Sequence, residues 1–91
     1  MDFEWDEEKR ASNIAKHGFD FLDVWELFEG DHIEGTAKQG EAGEERFLAT
    51  GLIGSVYATV IYTMRGGATR IISLRKARTN ERRKHQALHV E

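Results

Sequence analysis

The arrangement of residues 46–75 constrains the fold of this chain more than any other feature. Three runs rich in Val, Ile, Thr and Tyr lie there, separated by two short glycine-containing segments, residues 54–55 and 65–67. Glycine adopts the positive φ angles that tight hairpin turns require, and β-branched and aromatic residues favour strands. The pattern therefore predicts an antiparallel meander of three strands. These strands span residues 46–52, 56–64 and 69–75.

Cap signals predict two helices in the N-terminal part of the chain. Asp6 can cap the start of the first helix, and Gly18 can adopt the left-handed conformation that ends it. Asp20 can cap a second helix that ends at Gly30. Apolar residues recur at helical spacing within this second helix and predict one buried stripe. The stripe consists of Phe21, Val24, Trp25 and Phe28.

Weaker signals complete the prediction of the fold. Residues 2–5 alternate between polar and apolar, as in a short strand, and residues 33–38 are a weak strand candidate that precedes a loop. Thr79 can cap a final helix that reaches about Leu88. At 91 residues the chain has room for one domain, 1–91. We therefore expect an α+β domain in which two N-terminal helices and one C-terminal helix pack on an antiparallel sheet of about four to five strands.

Composition excludes several classes of protein. The chain contains no cysteine, which excludes disulfide bonds, thiolate metal sites and a cysteine nucleophile. No run approaches the roughly 20 apolar residues of a membrane-spanning helix, and residues 1–8 are acidic where a signal peptide would be basic and then apolar. No glycine-rich phosphate loop precedes a helix, so a nucleotide-driven enzyme is not supported. We expect a cytoplasmic protein that does not contact a membrane.

The two halves of the chain carry opposite charge. Residues 1–45 contain 14 acidic and 4 basic side chains, a balance of −10, and residues 46–91 contain 2 acidic and 9 basic side chains, a balance of +7, which together give the net charge of −3. A basic segment of this kind indicates a polyanionic partner such as nucleic acid or an anionic surface. The alternative is that the acidic half only neutralises the basic half within one fold.

The basic half also places residues that can transfer protons beside cations. Glu81 and His85 share one face of the predicted C-terminal helix, close in sequence to Arg75, Lys76 and Arg78. Cleavage of RNA needs a base for the 2′-hydroxyl, an acid for the leaving 5′-oxygen and cations for the phosphate. The group therefore favours phosphodiester chemistry. The competing interpretation is that Glu81 only forms a surface pair in the first turn of the helix.

Other polar residues lead to narrower predictions. Strand alternation places Arg70 and Arg75 on opposite faces of the predicted strand, so that they serve different surfaces. His17 either contributes to a site or only stabilises the end of the first helix. His85 and His89 form an H-x-x-x-H pair, but no carboxylate is placed as an obvious third ligand, so we expect no metal site.

The order and spacing of several motifs resemble the BrnT family of bacterial toxins over essentially the whole chain. The motifs are Phe3-Glu4-Trp5-Asp6, Asn13, Lys16-His17-Gly18, Glu45-Arg46, Arg70-Ile71-Ile72-Ser73, Arg75-Lys76-Ala77 and Glu81-Arg82. The resemblance implies a fold like that of RelE-type ribonucleases and an RNA cleavage that halts translation. It also implies a BrnA antitoxin that blocks the toxin, forms an assembly of two toxins and two antitoxins, and carries the DNA-binding segment through which the complex represses its own operon. One departure is His85, which stands where family members commonly have a tyrosine.

The residues and the resemblance together give one hypothesis for the site. The chain is expected to be a ribonuclease that uses general acid and base chemistry, with no metal and no other cofactor. The expected catalytic residues are His17, Arg75, Lys76, Glu81 and His85, and the expected RNA-binding residues are Lys16, Arg46, Arg70, Arg78 and Arg82. The alternative hypothesis is a non-catalytic basic module that binds nucleic acid or an acidic protein, including a toxin that has lost its activity.

Overall fold

A computed structural model describes residues 1–88 of the protein and shows three helices packed against one five-stranded sheet. The strands are β1 (Phe3–Glu4), β2 (Ile33–Ala37), β3 (Arg46–Ile53), β4 (Val56–Arg65) and β5 (Ala68–Lys76). The helices are α1 (Glu7–His17), α2 (Val24–Glu29) and α3 (Thr79–Leu88), and two short 3-10 turns span Phe21–Asp23 and Glu41–Gly43. The α+β architecture is therefore confirmed. Among residues 1–88, no helix combines the length and the apolar character that crossing a membrane requires.

The predicted meander forms the antiparallel centre of the sheet. The strand order is β1-β5-β4-β3-β2, and each pair of neighbours from β2 to β5 is antiparallel. Gly54, Gly66 and Gly67 have positive φ angles of 60°, 57° and 82° in the two hairpin turns, a conformation that glycine adopts without steric cost. β2 forms one edge of the sheet.

β1 makes the sheet mixed, which corrects the prediction of an antiparallel sheet. It runs parallel to β5, with Phe3 beside Thr69 and Glu4 beside Arg70. Most of the chain separates the two strands, so no hairpin turn dictates their relative direction. The hairpin pattern of the sequence therefore carries no information about the direction of β1.

The caps predicted for the first helix are confirmed. The side chain of Asp6 accepts a hydrogen bond from the backbone N–H of Glu8, and Gly18 ends α1 in the left-handed region at φ 76°. The acidic first turn and the basic last turn also match the direction of the helix dipole. The limits of α1 are thus set by signals that are local in the sequence.

The second predicted helix is divided into a 3-10 turn and the six-residue α2, so the prediction of two N-terminal helices is only partly matched. Asp20 caps the 3-10 turn, because its side chain accepts a backbone hydrogen bond of 2.9 Å from two residues further on. The 3-10 turn has a period of about three residues, which changes the side chains that face the core. The buried residues of this segment are Phe21, Val24 and Leu27. Trp25, a member of the predicted stripe, is 49% exposed instead.

The hydrophobic core lies between one face of the sheet and the segment that contains α2. Its sheet residues are Ala49, Ala58, Val60, Tyr62, Ile71 and Leu74. The opposite face of the sheet carries α3, because Thr59 alternates with the core residues of β4 and is hydrogen-bonded to Glu81 of α3. We refer to this second side of the sheet as the α3 face.

α1 attaches to the edge of the sheet beside β5 through polar residues. The side-chain amide of buried Asn13 donates a hydrogen bond to the Leu74 carbonyl at 2.8 Å, and its side-chain oxygen accepts one from the Leu74 N–H at 3.1 Å. The side chain of Asn13 therefore satisfies both backbone hydrogen-bonding groups of Leu74, as a neighbouring strand would. Arg10 and His17 are the other residues of α1 that are not exposed, one turn before and one turn after Asn13 on the same side of the helix.

A β-bulge interrupts the alternation of side chains in β5. Ile61 of β4 pairs with Ser73, but the next residue, Tyr62, pairs with Ile71. Ile72 is therefore the extra residue of the bulge. Residues before and after it that would lie on opposite faces of a regular strand come to lie on the same face.

The bulge brings Arg70 and Arg75 to the α3 face together. Arg70 pairs with Thr63 and Arg75 pairs with Thr59, and these two threonines lie four residues apart on the regular strand β4. The prediction that the two arginines serve opposite faces is therefore wrong. Strict alternation holds only for a strand without an inserted residue.

Candidate functional site

An ion pair between Arg75 and Glu81 joins β5 to α3. The Arg75 guanidinium donates to both carboxylate oxygens, with distances of 2.8 Å from Nη1 to Oε1 and 3.0 Å from Nη2 to Oε2. The side chains of Arg75 and Glu81 are 17% and 10% exposed. A bidentate pair fixes orientation as well as distance. It therefore holds the start of α3 against the sheet.

Glu81 also caps α3. Its Oε1 accepts a hydrogen bond of 2.8 Å from the backbone N–H of Arg78, and the Arg78 carbonyl accepts the first helical bond from the N–H of Arg82 at 3.0 Å. Arg78 thus occupies the N-cap position, and Glu81, three residues on, makes the backward bond of a capping box. The predicted cap, Thr79, is instead the first residue of the helix. Because the carboxylate of Glu81 accepts the hydrogen bond from the Arg78 N–H, the N-cap is Arg78 and not Thr79.

Two buried threonines extend this network into the sheet. Thr59 Oγ1 donates to Glu81 Oε1 at 2.9 Å and lies 2.7 Å from Thr50 Oγ1. An ionised carboxylate only accepts hydrogen bonds, so the single hydroxyl proton of Thr59 points to Glu81 and Thr50 donates to Thr59. Both threonines are almost completely buried. The result is a continuous chain of hydrogen bonds from β3 through β4 to α3 and back to β5.

The network keeps Glu81 ionised. Burial raises the pKa of its carboxyl, but hydrogen bonds from Arg75, the Arg78 N–H and Thr59, together with the charge of Arg75, outweigh burial and lower the pKa to about 2. A general base needs a pKa near the operating pH and a free position for the incoming proton. The contacts of Glu81 therefore favour a positioning role over the predicted proton-transfer role.

His85 lies inside the protein. Its ring is 4% exposed, its centroid lies 5.3 Å from that of Tyr57 in an edge-on contact, and its Nε2 lies 2.7 Å from the carbonyl oxygen of Asp31. A carbonyl oxygen only accepts, so Nε2 carries the proton of this hydrogen bond. These contacts favour a role for His85 in holding α3 on the sheet. His89, the other member of the H-x-x-x-H pair, lies outside the described residues.

Five exposed cations lie on α3 and on the segment that leads into it, and we call them the α3 cation cluster. They are Lys76, Arg78, Arg82, Arg83 and Lys84. Within residues 1–88 none of the five forms an ion pair, whereas every half-buried arginine is paired with a carboxylate. An unpaired surface cation keeps its charge available to an anionic ligand. Five of the nine exposed cations in residues 1–88, all of them unpaired, thus lie within residues 76–84.

Arg46 and Arg70 lie on the α3 face of the sheet, beyond the part that α3 covers. Arg46 Nε lies 3.3 Å from Glu44 Oε1, and Arg70 Nη1 lies 3.8 Å from Glu4 Oε1. All four side chains are partly exposed, and ion pairs of this kind contribute little net free energy. Both arginines can therefore exchange their carboxylate for a phosphate at low cost.

His17 and Lys76 lie at the same end of the molecule. Asn13 is bonded to Leu74, and His17 is one helical turn beyond Asn13 while Lys76 is two residues beyond Leu74. His17 is half-buried on the inward side of α1, and Lys16 and Lys76 are exposed. Of the predicted proton-transfer residues His17, Glu81 and His85, His17 is thus the one that, within residues 1–88, has no hydrogen bond or ring contact to α3 or the sheet, and it is partly open to solvent.

The structure divides the predicted site residues into three groups, one of which consists of the half-buried His17, Arg46 and Arg70. Arg75, Glu81 and His85 fix α3 on the sheet, whereas the exposed cations present charge to solvent. Sequence reasoning does not include Arg83 and Lys84 in the site, although they continue the same run of charge. Nor does it find the buried threonines, since their contact depends on the register between β3 and β4. Among residues 1–88 no group of three or more acidic or histidine side chains is arranged to hold a metal ion.

The model of one protein family matches residues 5–81, which is most of the chain. That family is described as the ribonuclease toxin, BrnT, of type II toxin-antitoxin systems. The matched range ends at Glu81, so it includes both partners of the ion pair that fixes α3. No curated protein matches the chain closely enough to be counted as a relative.

Proposed function

The chain belongs to the BrnT family of ribonuclease toxins of type II toxin-antitoxin systems, and we propose that it binds and cleaves RNA at the α3 cation cluster. Membership of the family implies an RNA target and a protein antitoxin as partner. The main observation that supports an RNA site at this position is the α3 cation cluster itself. Its five cations are exposed and, within the described residues, form no ion pair.

The cluster is suited to binding the phosphates of a single strand. Arg78, the N-cap of α3, and Arg82, in the first turns of α3, are four residues apart. Residues at this spacing lie on the same side of a helix, so the two arginines can contact neighbouring phosphates. Arg46 and Arg70 continue the positive charge across the α3 face, where a strand that leaves the cluster would pass. Their weak carboxylate contacts give way to phosphate contacts of similar geometry.

Cleavage is proposed to proceed by attack of the ribose 2′-oxygen on the adjacent phosphorus, with departure of the 5′-oxygen. The P–O bond to the 5′-oxygen breaks as the new P–O bond forms, one proton leaves the 2′-hydroxyl, and one proton reaches the 5′-oxygen. Lys76 and Arg78 stabilise the charge that develops on the phosphate. No metal or other cofactor takes part in this proposal.

His17 is proposed to transfer a proton in this reaction. An imidazole ring can both accept and donate a proton, so one histidine can take the proton from the 2′-hydroxyl or deliver a proton to the 5′-oxygen. The proposal is supported by the position of His17 one turn beyond the Asn13–Leu74 contact, toward the end of the sheet where Lys76 follows Leu74, on a helix that buried hydrogen bonds hold in place. Arg75, Glu81 and His85 act as positioning residues, because their contacts hold the helix that carries the cations.

The resemblance to the family supports further parts of the proposal. RNA cleavage by this chain is proposed to halt translation in the cytoplasm. A BrnA-like antitoxin is proposed to block the site in an assembly of two toxins and two antitoxins, and the complex is proposed to contact operator DNA only through the antitoxin.

The test is cleavage of RNA by the purified chain in the presence of a chelator, followed on a gel. We expect cleavage by the wild type and a loss of about 100-fold or more in rate for His17→Gln, since a proton-transfer group contributes about 10² to 10⁴. His32→Gln is the matched control, because the His32 ring contacts Phe28 and Glu34 and is not among the residues proposed to bind or cleave RNA. RNA that stays intact under all conditions, with ribosomes included, would defeat the proposal, and full activity of His17→Gln would remove His17 from it.

A second candidate function is binding of RNA without cleavage. It is favoured by the carboxylate of Glu81, which is held ionised with its oxygens engaged, and by the burial of His85. Expression in growing cells separates the two candidates. Toxicity that a co-expressed antitoxin relieves and that His17→Gln abolishes supports the enzyme, whereas harmless expression supports the binding module.

A further inference from the structure

A groove between β2 and α3 adjoins the α3 cation cluster. Its volume of about 320 Å³ falls at the lower end of the range of small-molecule sites, about 300 to 1,000 Å³. Half-buried Ile33 and Leu48 line it on the sheet side. Asn80 and Lys84 line it on the helix side, one turn apart on α3. Glu34 and Glu81 also line the groove, so it combines an apolar floor with a polar edge that carries two carboxylates and the cation of Lys84.

Gly35 keeps the groove open on the side of β2. It pairs with Leu48 across the sheet, and a Cβ atom built at Gly35 would lie 3.7 Å from Leu48 Cδ1, which is an ordinary van der Waals contact. The backbone at Gly35 does not need glycine, since its φ angle is not positive. A Cβ atom therefore fits at this position, and a side chain here belongs to a residue that lines the groove.

The polar groups of the groove can bond a ligand without breaking the network beneath it. The Asn80 amide offers both donors and an acceptor, and Asn80 is exposed. The hydroxyl of Thr50 donates to Thr59 and keeps lone pairs for a donor from the groove. A ligand that matches the groove has an apolar face, an edge with hydrogen-bonding groups, and an attached anion near Lys84.

We propose that this β2–α3 groove binds one unpaired nucleobase of RNA whose adjoining phosphates lie on the α3 cation cluster, with Asn80 bonded to the edge of the base. Single-stranded RNA exposes flat bases with polar edges beside phosphates, and sequence-specific proteins read those edges. The inference rests on the proposed function, because it names the part of the substrate that the same surface selects. The groove would make cleavage depend on base identity next to the bound phosphates.

The first experiment detects the base directly. The full chain, labelled for NMR, is titrated with each of the four nucleoside 5′-monophosphates and, separately, with inorganic phosphate. We expect the signals of the Gly35 N–H and of the Ile33 and Leu48 methyl groups to shift with nucleotides, and to shift most with one base. Inorganic phosphate should move signals of the cluster only. Identical shifts with phosphate and with nucleotides would overturn the proposal.

The second experiment measures base selectivity. The ligands are four 2′-O-methyl oligonucleotides, each containing a single type of base. They lack the attacking hydroxyl and are therefore not cleaved, so their affinities can be compared directly. We expect Asn80→Ala and Gly35→Val to lower the affinity for the preferred base about three- to tenfold, the range that one hydrogen bond supplies, and the other affinities less. Gln86→Ala is the matched control, because Gln86 is an exposed amide of α3 that does not line the groove. If Gly35→Val fails to fold, Asn80→Ala still decides.

The outcomes distinguish this inference from the proposed function. Cleavage of RNA with no nucleotide shifts in the groove, and with the same base selectivity in Asn80→Ala as in the wild type, overturns the groove and leaves the ribonuclease intact. Nucleotide shifts that Asn80→Ala weakens, in a protein that leaves RNA uncut, support the groove and overturn the cleavage.

Discussion

Two bidentate arginine–carboxylate pairs join segments of this molecule, and they do so in different surroundings. Arg10 binds both oxygens of Asp20, at 2.7 Å and 3.0 Å, with side chains that are 28% and 29% exposed. Arg75 binds both oxygens of Glu81 at 2.8 Å and 3.0 Å, with exposures of 17% and 10%. Both pairs are bidentate, but Arg10 donates through Nε and Nη2 and Arg75 through Nη1 and Nη2, and the second pair is further from solvent.

The difference shows how the basic half keeps its cations free. In the acidic half, carboxylates outnumber cations, so Arg10 is paired and the surplus charge is negative. In the basic half, the carboxylate of Glu81 is used inside the fold by the arginine that is furthest from solvent. The exposed cations around it then have no nearby carboxylate in the described chain. The less exposed pair holds α3 on the sheet, and the surface keeps the positive charge on which the proposed RNA binding depends.

The largest expected effect comes from breaking the buried pair. Arg75→Met leaves the carboxylate of Glu81 without its guanidinium partner, and we expect a loss of about 3 kcal/mol in the free energy of unfolding. Arg10→Met is the matched control and should cost clearly less, because Asp20 can be solvated. Urea denaturation measures both. Equal losses in the two variants would show that the difference in burial has no energetic consequence.

Acid should reveal the same pair by titration. The folded pKa of Glu81 lies at about 2, below its usual value of 4.5, so the pair contributes stability above pH 4.5 and loses it as the pH falls toward 2. The shift corresponds to a contribution of about 3 kcal/mol at most. Melting temperatures of the wild type and Glu81→Gln between pH 7 and pH 2.5 test this.

The melting temperatures of the wild type and Glu81→Gln should converge as the pH falls. Protonation of Glu81 in the wild type removes the stabilising negative charge, which the variant lacks at every pH. Asp20→Asn is the control, since the hydrogen bond from Arg10 also lowers the pKa of Asp20. A gap between the wild type and Glu81→Gln that stays constant down to pH 2.5 would contradict the assignment.

Removal of surface cations should weaken RNA binding without unfolding the protein. Arg78→Ala combined with Arg82→Ala retains the backbone N–H on which the Glu81 cap depends. We expect an affinity loss of about tenfold at low salt, and a decrease of about 1.4 in the slope of log affinity against log salt, since each phosphate contact on a single strand contributes about 0.7. The control is Lys38→Ala combined with Arg65→Ala, two exposed cations outside the cluster. Equal effects in both double variants would argue against a localised interface.

The smallest expected effect is a difference in salt sensitivity. Salt screens exposed pairs more than buried ones, so the stability gap between the wild type and Arg10→Met should shrink in 1 M sodium chloride, with a Debye length of about 3 Å. The gap for Arg75→Met should change less. Denaturation at low and high salt measures both gaps. If the gap for Arg75→Met shrinks more than the gap for Arg10→Met, salt screens the Arg75–Glu81 pair more strongly, which would contradict the prediction.

Features that depend on neighbours in the sequence could be predicted well. The caps at Asp6 and Gly18 and the two hairpin turns are local, because the residues that form them lie within a few positions of one another. The strands of the meander follow from composition for the same reason. The division of the second helix was not predictable from periodicity, since Trp25 and Leu27 compete for the core and a 3-10 turn decides between them.

Residues of the candidate site were found by their type, but their surroundings were not. Sequence places Arg75, Glu81 and His85 close together and suggests chemistry for all three. The structure surrounds Glu81 with four hydrogen bonds and buries His85 against Tyr57 and Asp31. A glutamate that transfers protons and a glutamate that only accepts buried hydrogen bonds cannot be told apart in a sequence. The difference lies in burial and in hydrogen-bond partners, and both come from distant segments of the chain.

The sequence by itself determined the α+β class, the caps of α1, the two hairpin turns, and the separation of charge between the two halves of the chain. Only the tertiary structure decided which cations are paired within the protein and which remain for a ligand. It also decided, through the bulge at Ile72, that Arg70 and Arg75 share a face. The physical reason is that helix caps and hairpin turns form between near neighbours, whereas ion pairs, register and burial depend on segments that folding brings together.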